Sequence, residues 1–280
     1  RFKNDLDIKY FYKENSGPGM TRNYGAERAI GEYLIVLDSD VVLPPTYIEE
    51  TDKELQGNPC EAFGGPDKAH PDFSHLQKAI NYAMTSFFTT GGIRGGKKKL
   101  DKFYPRSFNM GIRKDVYTQL GGFSKMRFGE DIDFSIRIFE AGCKCRLFPN
   151  SWVWHKRRTD FRKFFRQVHN SGIARINLMK RHRGSLKLVH LLPAVFTIGL
   201  VLLLIGSIWC YWSLLPILLF MTIIFLDSTR VNKSIKVGWL SIWASIIQLT
   251  GYGSGFLRAW WERCVLGKDE FSAFNKNFYK

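Results

Sequence analysis

Cysteine is scarce in this sequence, and the spacing of the few cysteines argues against one kind of site. Five occur among 280 residues, at positions 60, 143, 145, 210 and 264, with no CxxC pair and no metal-ligand spacing. This excludes a zinc site built from paired cysteines, and we expect reduced thiols in a cytoplasmic setting. The chain also lacks an initial methionine and a signal-peptide pattern, so we expect that a segment upstream of Arg1 is missing.

Acidic residues are few as well. Aspartate and glutamate total 25 against 41 lysines and arginines, which gives a net charge of +16. Such an excess predicts an anionic partner: nucleic acid, a phosphorylated substrate or a negatively charged membrane face. The basic residues gather near the apolar segments rather than among stacked aromatics, which disfavours nucleic acid.

Charge is absent altogether from Leu188 to Leu226. Since one membrane-spanning helix needs about 20 apolar residues, this run predicts two transmembrane helices joined by a turn near Trp212–Ser213. The run from Val237 to Leu257 is a weaker candidate for a third span or a re-entrant segment, because it carries glycines at 251, 253 and 255.

Basic residues indicate which ends of these spans face the cytoplasm. Lysines and arginines occur in "KRHRGSLK" before the first span and in "DSTRVNKSIK" after the second, but not in the turn between them. By the positive-inside tendency, residues 1–187 and 227–236 face the cytoplasm. We therefore expect a multi-pass protein of a bacterial inner membrane.

A basic segment, "DFRKFFRQVHNSGIARINLMKRHR", leads into the first span. Apolar residues recur in it at helical spacing, among them Phe164, Val168 and Ile176, while arginines and lysines fill other positions. The pattern predicts an amphipathic helix lying on an anionic membrane, or an ordinary surface helix packed on the preceding domain. Its position next to a span favours the membrane.

The residues before this segment alternate between strand-like and helix-like patterns. Strands are predicted at "IKYFYKE", "YLIVLD", "EAFGGP" and "SFNMGIRK". Helices are predicted from about Thr21 to Ile30, at "PTYIEETDKELQ" and at "DFSIRIFEAG". The alternation predicts an α/β fold with a sheet that is at least partly parallel, in which ligands bind beyond the carboxyl ends of strands.

Asp38 and Asp40 fall at such a strand end, in "YLIVLDSD". Two carboxylates in the turn that leaves a strand can converge on one Mg²⁺ or Mn²⁺, which in turn binds phosphate oxygens. The alternative is an Asx-turn with a helix cap before Pro44 and Pro45, and for this motif alone that is the commoner outcome.

A second acidic cluster, "FGEDIDF", places Glu130, Asp131 and Asp133 at the start of a predicted helix. Capping explains one acid, and three are more negative charge than a cap needs. A carboxylate in this position can accept a proton from a substrate hydroxyl as a general base.

Three segments taken together resemble glycosyltransferase family 2. They are "NSGPGMTRNYGAERAIGEYLIVLDSD", "SFNMGIRKDVYTQLGGF" and "FGEDIDFSIRIFEAGCKCRLFPNSWVWH", which cover roughly residues 8–160 in the family's order. The resemblance implies a GT-A (Rossmann-like) mixed sheet flanked by helices and followed by C-terminal transmembrane helices. It also implies a nucleotide-diphospho-sugar donor, a divalent metal, and single displacement with inversion at the anomeric carbon.

The resemblance further implies roles for single residues. Asp131 would be the catalytic base, and Glu130 beside it would shape the acceptor pocket. The metal, Mg²⁺ or Mn²⁺, would be held by Asp40, Asp38 and His155, although a histidine after an aromatic strand is more often structural. Four residues would face the donor: Asp38, Arg22, Asn23 and Asn109.

The chain departs from the family pattern in two places. The family opens with a strand and a base-binding turn that do not precede Arg1, so part of the nucleotide pocket is expected to be absent. The QxxRW signature of processive synthases is missing after Gln167, which favours one sugar per event.

The segment "GGIRGGKKK", residues 91–99, matches only half of a P-loop motif, because Lys98 stands where the motif has Ser or Thr. It predicts a basic loop, which either reaches over the donor or is simply solvated.

These observations divide the chain into a catalytic domain (1–158), an interfacial helix (159–186), a membrane region with two or three spans (187–260) and a basic tail (261–280). We predict a membrane-anchored glycosyltransferase of cell-envelope polysaccharide or glycolipid synthesis, which acts on a lipid-linked or glycan acceptor at an anionic membrane. The alternatives are a sugar-1-phosphate nucleotidyltransferase and a non-catalytic membrane scaffold with a transferase-like domain.

Overall fold

The computed structural model describes residues 7–91 and 103–270, which form an α/β region followed by helices. The strands are β1 (Tyr33–Leu37), β2 (Val41–Val42), β3 (Ala62–Gly64), β4 (Asp67–Lys68), β5 (Asn109–Arg113), β6 (Cys145–Leu147) and β7 (Val153–His155). The helices are α1 (Pro18–Arg28), α2 (Tyr47–Gly57), α3 (His75–Thr85), α4 (Phe87–Thr90), α5 (Lys114–Gln119), α6 (Glu130–Glu140), α7 (Phe161–Arg181), α8 (Leu192–Gly206), α9 (Leu215–Asn232) and α10 (Ile235–Trp260).

Two small sheets organise the α/β region. One has the strand order β1-β5-β3-β6 and the other the order β2-β7-β4. The pairs β3–β6 and β4–β7 are parallel, and the remaining pairs are antiparallel. The predicted mixed sheet flanked by helices is therefore confirmed.

Close packing explains two glycines, one in strand β5 of the larger sheet and one directly after strand β3. A Cβ at Gly111 would lie 2.0 Å from the ring of Phe63, and one at Gly65 would lie 1.7 Å from the carbonyl oxygen of Ser151. Real Cβ atoms do not approach other atoms that closely, so both positions need glycine. Gly65 is thus needed so that the backbone can pack closely. The sequence alone does not decide the role of this glycine.

The predicted strand at residues 8–14 is wrong. This segment has no regular secondary structure, and its large apolar side chains lie in solvent: Ile8, Tyr10 and Tyr12 are 53%, 85% and 76% exposed. Aromatic and β-branched residues favour a strand only where a neighbouring strand and a packed face are available. Among the described residues, no strand pairs with this segment.

The basic segment before the first apolar run forms α7, whose N-terminus is capped by the Asp160 carboxylate accepting from the Lys163 amide at 2.7 Å. Its apolar face is buried against α3 and α10, with Phe164 and Val168 in that cluster. Arg162 and Arg166 are exposed on the other side. Contact of this basic face with a membrane stays a prediction.

Two helical segments are long and apolar enough to cross a membrane, Leu188–Gly206 and Tyr211–Asn232. They include α8 and α9, and the chain turns between them at residues 207–210, close to the predicted position. Only 6% and 11% of their most apolar windows are buried within the protein. A core helix of a soluble protein would be mostly buried, whereas these two helices leave their apolar surface exposed. Their insertion into a membrane stays a prediction.

Helix α10 is not one of these candidate spans among the described residues. It packs on α3, α7, α8 and α9, and its glycines let the helix backbones approach closely. A Cβ at Gly255 would lie 2.0 Å from the carbonyl oxygen of His169 in α7, and one at Gly253 would lie 2.1 Å from Oγ1 of Thr197 in α8. The glycines that weakened the case for a third span thus serve helix contacts.

Candidate active site

The short sheet β2-β7-β4 brings the metal-ligand candidates together. Asp38 follows β1, Asp40 directly precedes β2, and His155 ends β7 opposite Val41. The Asp40 carbonyl accepts from the Lys156 amide at 3.1 Å, which extends this pairing. One potential ligand atom from each of Asp38, Asp40 and His155 lies within 4.8 Å of the other two.

His155 is held between two carboxylates. Its Nε2 lies 3.5 Å from Oδ1 of Asp40, its Nδ1 lies 3.7 Å from Oδ2 of Asp67, and its ring packs on Phe108 at 4.7 Å. Burial lowers the pKa of His155, but the two carboxylates outweigh burial and raise it. The contact with His155 in turn lowers the pKa of Asp40.

The donor set fits a divalent cation. Two carboxylates and one imidazole are typical ligands, and Mn²⁺ accepts imidazole beside oxygen more readily than Mg²⁺ does. Nδ1 of His155 is buried without a hydrogen bond, so the ring is not committed to a purely structural bond. The Asp38 carboxylate accepts a hydrogen bond from Arg22, a residue 16 positions away rather than one in its own turn.

Arg22 joins the two acidic clusters. Projecting from α1, its guanidinium lies 2.8 Å from Oδ1 of Asp38 through one nitrogen and 2.8 Å from Oε1 of Glu130 through another. The side chain is 16% exposed and packs over the Phe123 ring at 5.3 Å. Because the guanidinium is held by two carboxylates and packs on an aromatic ring, it fixes the distance between the two clusters.

The second cluster lies at the N-terminus of α6. Gly129 precedes the helix with φ 85°, in the left-handed region that favours glycine. Oδ2 of Asp131 accepts from Nε of Arg106 at 2.7 Å, and Oδ1 accepts from the Ile132 amide at 2.8 Å. Although burial raises the pKa of Asp131, Arg106 outweighs it and holds the pKa below its usual range.

Glu130 has the opposite electrostatics. Burial raises its pKa, the neighbouring charge of Asp131 raises it further, and Arg22 only partly opposes them. Two adjacent carboxylates whose pKa values move in opposite directions can take different roles in proton transfer.

Asn23 and Asn109, predicted to face the donor, make bonds within the protein. The Asn23 amide accepts from Tyr117 Oη and the Phe123 amide and donates to the Phe123 carbonyl, at 2.6, 2.9 and 2.9 Å. Asn109 is 1% exposed, accepts from Tyr47 Oη at 2.6 Å and donates to the Ser151 carbonyl at 2.8 Å. These bonds give both residues a structural use, and their contact with a donor stays a prediction.

Comparison with known proteins gives two family matches. Residues 1–121 match the model of Glycosyl transferase family 2, and residues 102–226 match that of Glycosyl transferase family group 2. Together the two models cover residues 1–226, and each describes a glycosyltransferase. The predicted family and enzyme class are thereby confirmed.

Relatives of this transferase are distant and longer. A probable glycosyltransferase of Sulfolobus acidocaldarius is 23% identical over 142 residues, which are 49% of this chain and 30% of that protein. A pre-mycofactocin glycosyltransferase of Mycobacterium tuberculosis is 25% identical over 187 residues, which are 64% of this chain and 38% of that protein. The chain thus matches only about a third of the length of these relatives.

A crystal structure of S. aureus TarS (residues 1–349) in complex with UDP-GlcNAc aligns with TM-score 0.41 and 13% identity. The alignment covers 99% of this chain and 83% of that chain. At this TM-score the alignment defines neither the fold nor a ligand of the transferase.

Three charged residues of this transferase site are not found by sequence reasoning. Arg106 holds Asp131, while Asp67 and Arg157 lie behind His155. Arg106 precedes "SFNMG" and Asp67 follows "FGGP", so both lie beside segments that the sequence singles out. Their partners are distant in sequence, which is why no local pattern reveals them. The basic loop at residues 92–99 lies outside the described residues.

Proposed function

We propose that this protein is an inverting glycosyltransferase that moves a sugar from a nucleotide-diphospho-sugar to a hydroxyl of a lipid-linked or glycan acceptor. The transfer depends on a divalent metal and takes place at the cytoplasmic face of the membrane. The observation that carries the proposal is the double ion pair of Arg22, which joins Asp38 of the first cluster to Glu130 of the second. A donor site and an acceptor site must lie side by side for direct transfer.

The first cluster is suited to the donor. The Asp38 and Asp40 side chains are 32% and 39% exposed, so their oxygens can reach a ligand. A divalent cation bound by these residues and His155 would stabilise negative charge on the departing diphosphate. Arg22 adds a positive charge beside Asp38, and its second ion pair, with Glu130, reaches the second cluster.

The second cluster is suited to proton transfer. Asp131, ionised at neutral pH, accepts the proton of the acceptor hydroxyl as that oxygen attacks the anomeric carbon. The bond from the anomeric carbon to the diphosphate breaks, and its electron pair leaves with the diphosphate. Arg106 keeps Asp131 oriented, and no covalent intermediate with the protein is needed.

The α8–α9 hairpin is suited to anchoring this site at a membrane. At 1.5 Å per residue, the two candidate spans are about 28 and 33 Å long, which matches a hydrocarbon core of about 30 Å. The hairpin tip carries exposed Trp209, Tyr211 and Trp212, aromatic residues that favour the membrane interface. The open ends carry the basic residues, which supports a cytoplasmic position for the catalytic region.

Activity is tested with the full chain in lipid nanodiscs. Nucleoside diphosphate release is measured from a panel of nucleotide sugars, with Mn²⁺ or Mg²⁺ and with lipid-linked acceptors. We expect metal-dependent release that Asp131→Asn abolishes and Asp115→Asn preserves, because the Asp115 side chain is 65% exposed on the surface. Use of a sugar 1-phosphate with a nucleoside triphosphate would instead identify a nucleotidyltransferase, and nucleotide binding without turnover would identify a scaffold.

The membrane arrangement is tested with the cysteines that the chain already has. Cys210 lies at the hairpin tip and Cys264 follows α10, and both are exposed. In sealed vesicles we expect a membrane-impermeant maleimide to label Cys210 from the outer face and Cys264 from the cytoplasmic face. Labelling of both cysteines from one face would contradict the two-span arrangement.

A further inference from the structure

We propose that Asp67, fixed by Arg157, is a positioning residue that orients His155 for metal binding. This inference rests on the metal-dependent function proposed above. A histidine that ligates a metal through one ring nitrogen usually donates its other N–H to a carboxylate or carbonyl, which fixes both the tautomer and the ring orientation.

The strand order of the small sheet places Asp67 on the required side of His155. Strand β7 lies between β2, which follows Asp40, and β4, which begins at Asp67. Asp67 pairs with Val153, two residues before His155, so the side chains of Asp67 and His155 lie on one face of the sheet. Asp40 and Asp67 therefore approach opposite nitrogens of one ring, Nε2 at 3.5 Å and Nδ1 at 3.7 Å.

This geometry assigns the two nitrogens different tasks. Nε2 faces the Asp38 and Asp40 side, where the three candidate ligand atoms converge. Nδ1 is buried without a hydrogen bond, and a carboxylate oxygen of Asp67 lies within ion-pair distance. A proton on Nδ1 is stabilised by Asp67 and leaves the Nε2 lone pair directed at the cation site.

Arg157 holds Asp67 in place. Its side chain is 5% exposed, and one guanidinium nitrogen lies 2.6 Å from Oδ2 of Asp67. Nε of Arg157 donates to Oδ1 of Asn81 at 3.0 Å, and the Arg157 carbonyl accepts from Gln77 at 3.1 Å. Asn81 and Gln77 both belong to α3, so this helix is the rigid support of the pair.

The same helix connects the metal side of the site to the candidate spans. One residue after Asn81, Tyr82 donates from its hydroxyl to Oδ2 of Asp227 in α9 at 2.7 Å. Charged residues inside or at the end of an apolar helix are costly and usually serve a specific contact. The contacts thus run from α9 through α3, Arg157 and Asp67 to His155, and they fix the metal side relative to the hairpin.

The inference is tested with the full chain in nanodiscs by two measurements on Asp67→Asn. The first is Mn²⁺ affinity by electron paramagnetic resonance, for which we expect a loss of roughly 10–100-fold. The second is the His155 tautomer in the metal-free protein, from ¹⁵N labelling of the six histidines with His155→Gln as the assignment control. We expect the Nδ1–H form in the parent chain and a shift toward the Nε2–H form in the variant.

Two further variants separate positioning from folding. Asp72→Asn makes the same chemical change on a side chain that is 89% exposed, and we expect unchanged Mn²⁺ affinity. In Asp67→Asn, the buried positive charge of Arg157 loses its carboxylate partner. The double variant, Asp67→Asn with Arg157→Gln, removes that positive charge as well. We expect this double variant to recover thermal stability but not Mn²⁺ affinity, because His155 still lacks its carboxylate.

Each failure has a distinct signature. Unchanged Mn²⁺ affinity in Asp67→Asn, or an Nε2–H tautomer of His155 in the parent chain, would overturn the role of Asp67 and leave the proposed function standing. Full recovery of Mn²⁺ affinity in the double variant would reduce Asp67 to a folding role and also overturn the inference. Absence of Mn²⁺ binding in the parent chain would overturn the metal-dependent function itself, together with the inference that rests on it.

Discussion

The two acidic clusters of the site differ in how the protein holds them. In the first, the Asp38 and Asp40 side chains are 32% and 39% exposed, whereas in the second Glu130 and Asp131 are 10% and 12% exposed. The exposed carboxylates can exchange their present contacts for a ligand at little cost. The buried carboxylates are oriented by arginines, and Arg106 also lowers the pKa of Asp131, since an unpaired charge there would be expensive. In the proposed function the exposed cluster binds the donor, and the buried cluster takes part in proton transfer.

Replacing the buried base should have the largest effect. Asp131→Asn keeps the shape of the side chain and removes its ability to accept a proton, so we expect kcat to fall by about 10²–10⁴-fold. The binding of donor and metal should change little, because Asp131 belongs to the other cluster. Steady-state kinetics and donor affinity measured on the same preparation check this, and a parallel loss of donor binding would contradict the division of roles.

Breaking the support of the buried cluster should reduce stability. Asp133, 3% exposed, contacts Nε2 of His182 at 2.8 Å, Ser124 Oγ at 2.7 Å and Arg137 at 3.0 Å. His182→Ala leaves this carboxylate with a poorer set of partners, and we expect a loss of about 3 kcal/mol in the free energy of unfolding at neutral pH. Denaturant unfolding checks the loss.

This loss should depend on pH with a defined sign. Burial raises the pKa of Asp133, but its bonds from His182, Ser124 and Arg137 outweigh burial and lower it. A carboxyl group with a lowered folded-state pKa contributes stability above its unfolded pKa and loses it as pH falls through the folded pKa. The difference between parent and His182→Ala should therefore shrink on acidification below about pH 4. A difference that grows there would contradict the pairing.

Arg106→Gln should move the pH dependence of the reaction. Arg106 lowers the pKa of Asp131, so its removal should raise that pKa and move the acid limb of kcat/KM to higher pH. The profile is measured at saturating Mn²⁺, with Arg113→Gln as control, because Arg113 pairs with the exposed Asp115 on the surface. An unmoved acid limb would mean that a group other than Asp131 sets it.

The smallest change in stability is expected on the exposed side. Asp40→Asn should alter the free energy of unfolding by no more than about 0.5 kcal/mol, since exposed polar positions tolerate substitution. The same variant should lose Mn²⁺-dependent donor binding. Calorimetric melting and metal titration of one sample check both statements, and a strongly destabilised variant would show that Asp40 has a structural rather than a binding task.

The sequence predicts a candidate site because its motifs lie at the ends of predictable elements. Asp38 and Asp40 follow a strand of apolar residues, and Asp131 starts a helix with a clear apolar periodicity. The structure then places the two clusters within reach of one guanidinium. Arg22 was already a predicted site residue, but its two partners lie 16 and 108 residues away, and only tertiary structure could pair them.

Other features depended on contacts that a linear pattern does not encode. The strand predicted at residues 8–14 failed because β propensity needs a partner, and the segment has none among the described residues. The apolar run in helix α10 made it a weaker candidate for a third span, yet it is not a candidate span among the described residues and its glycines pack against α7 and α8. Composition reveals that a helix is apolar, but not which apolar surface covers it.

The most direct test of this division is calorimetric binding of nucleoside diphosphates with Mn²⁺ to the full chain and to two variants. We expect Asp40→Asn to lose this binding, and Asp131→Asn to bind like the parent chain while it fails to transfer sugar. Equal loss of binding in both variants would contradict the separation of a donor-binding cluster from a proton-transfer cluster.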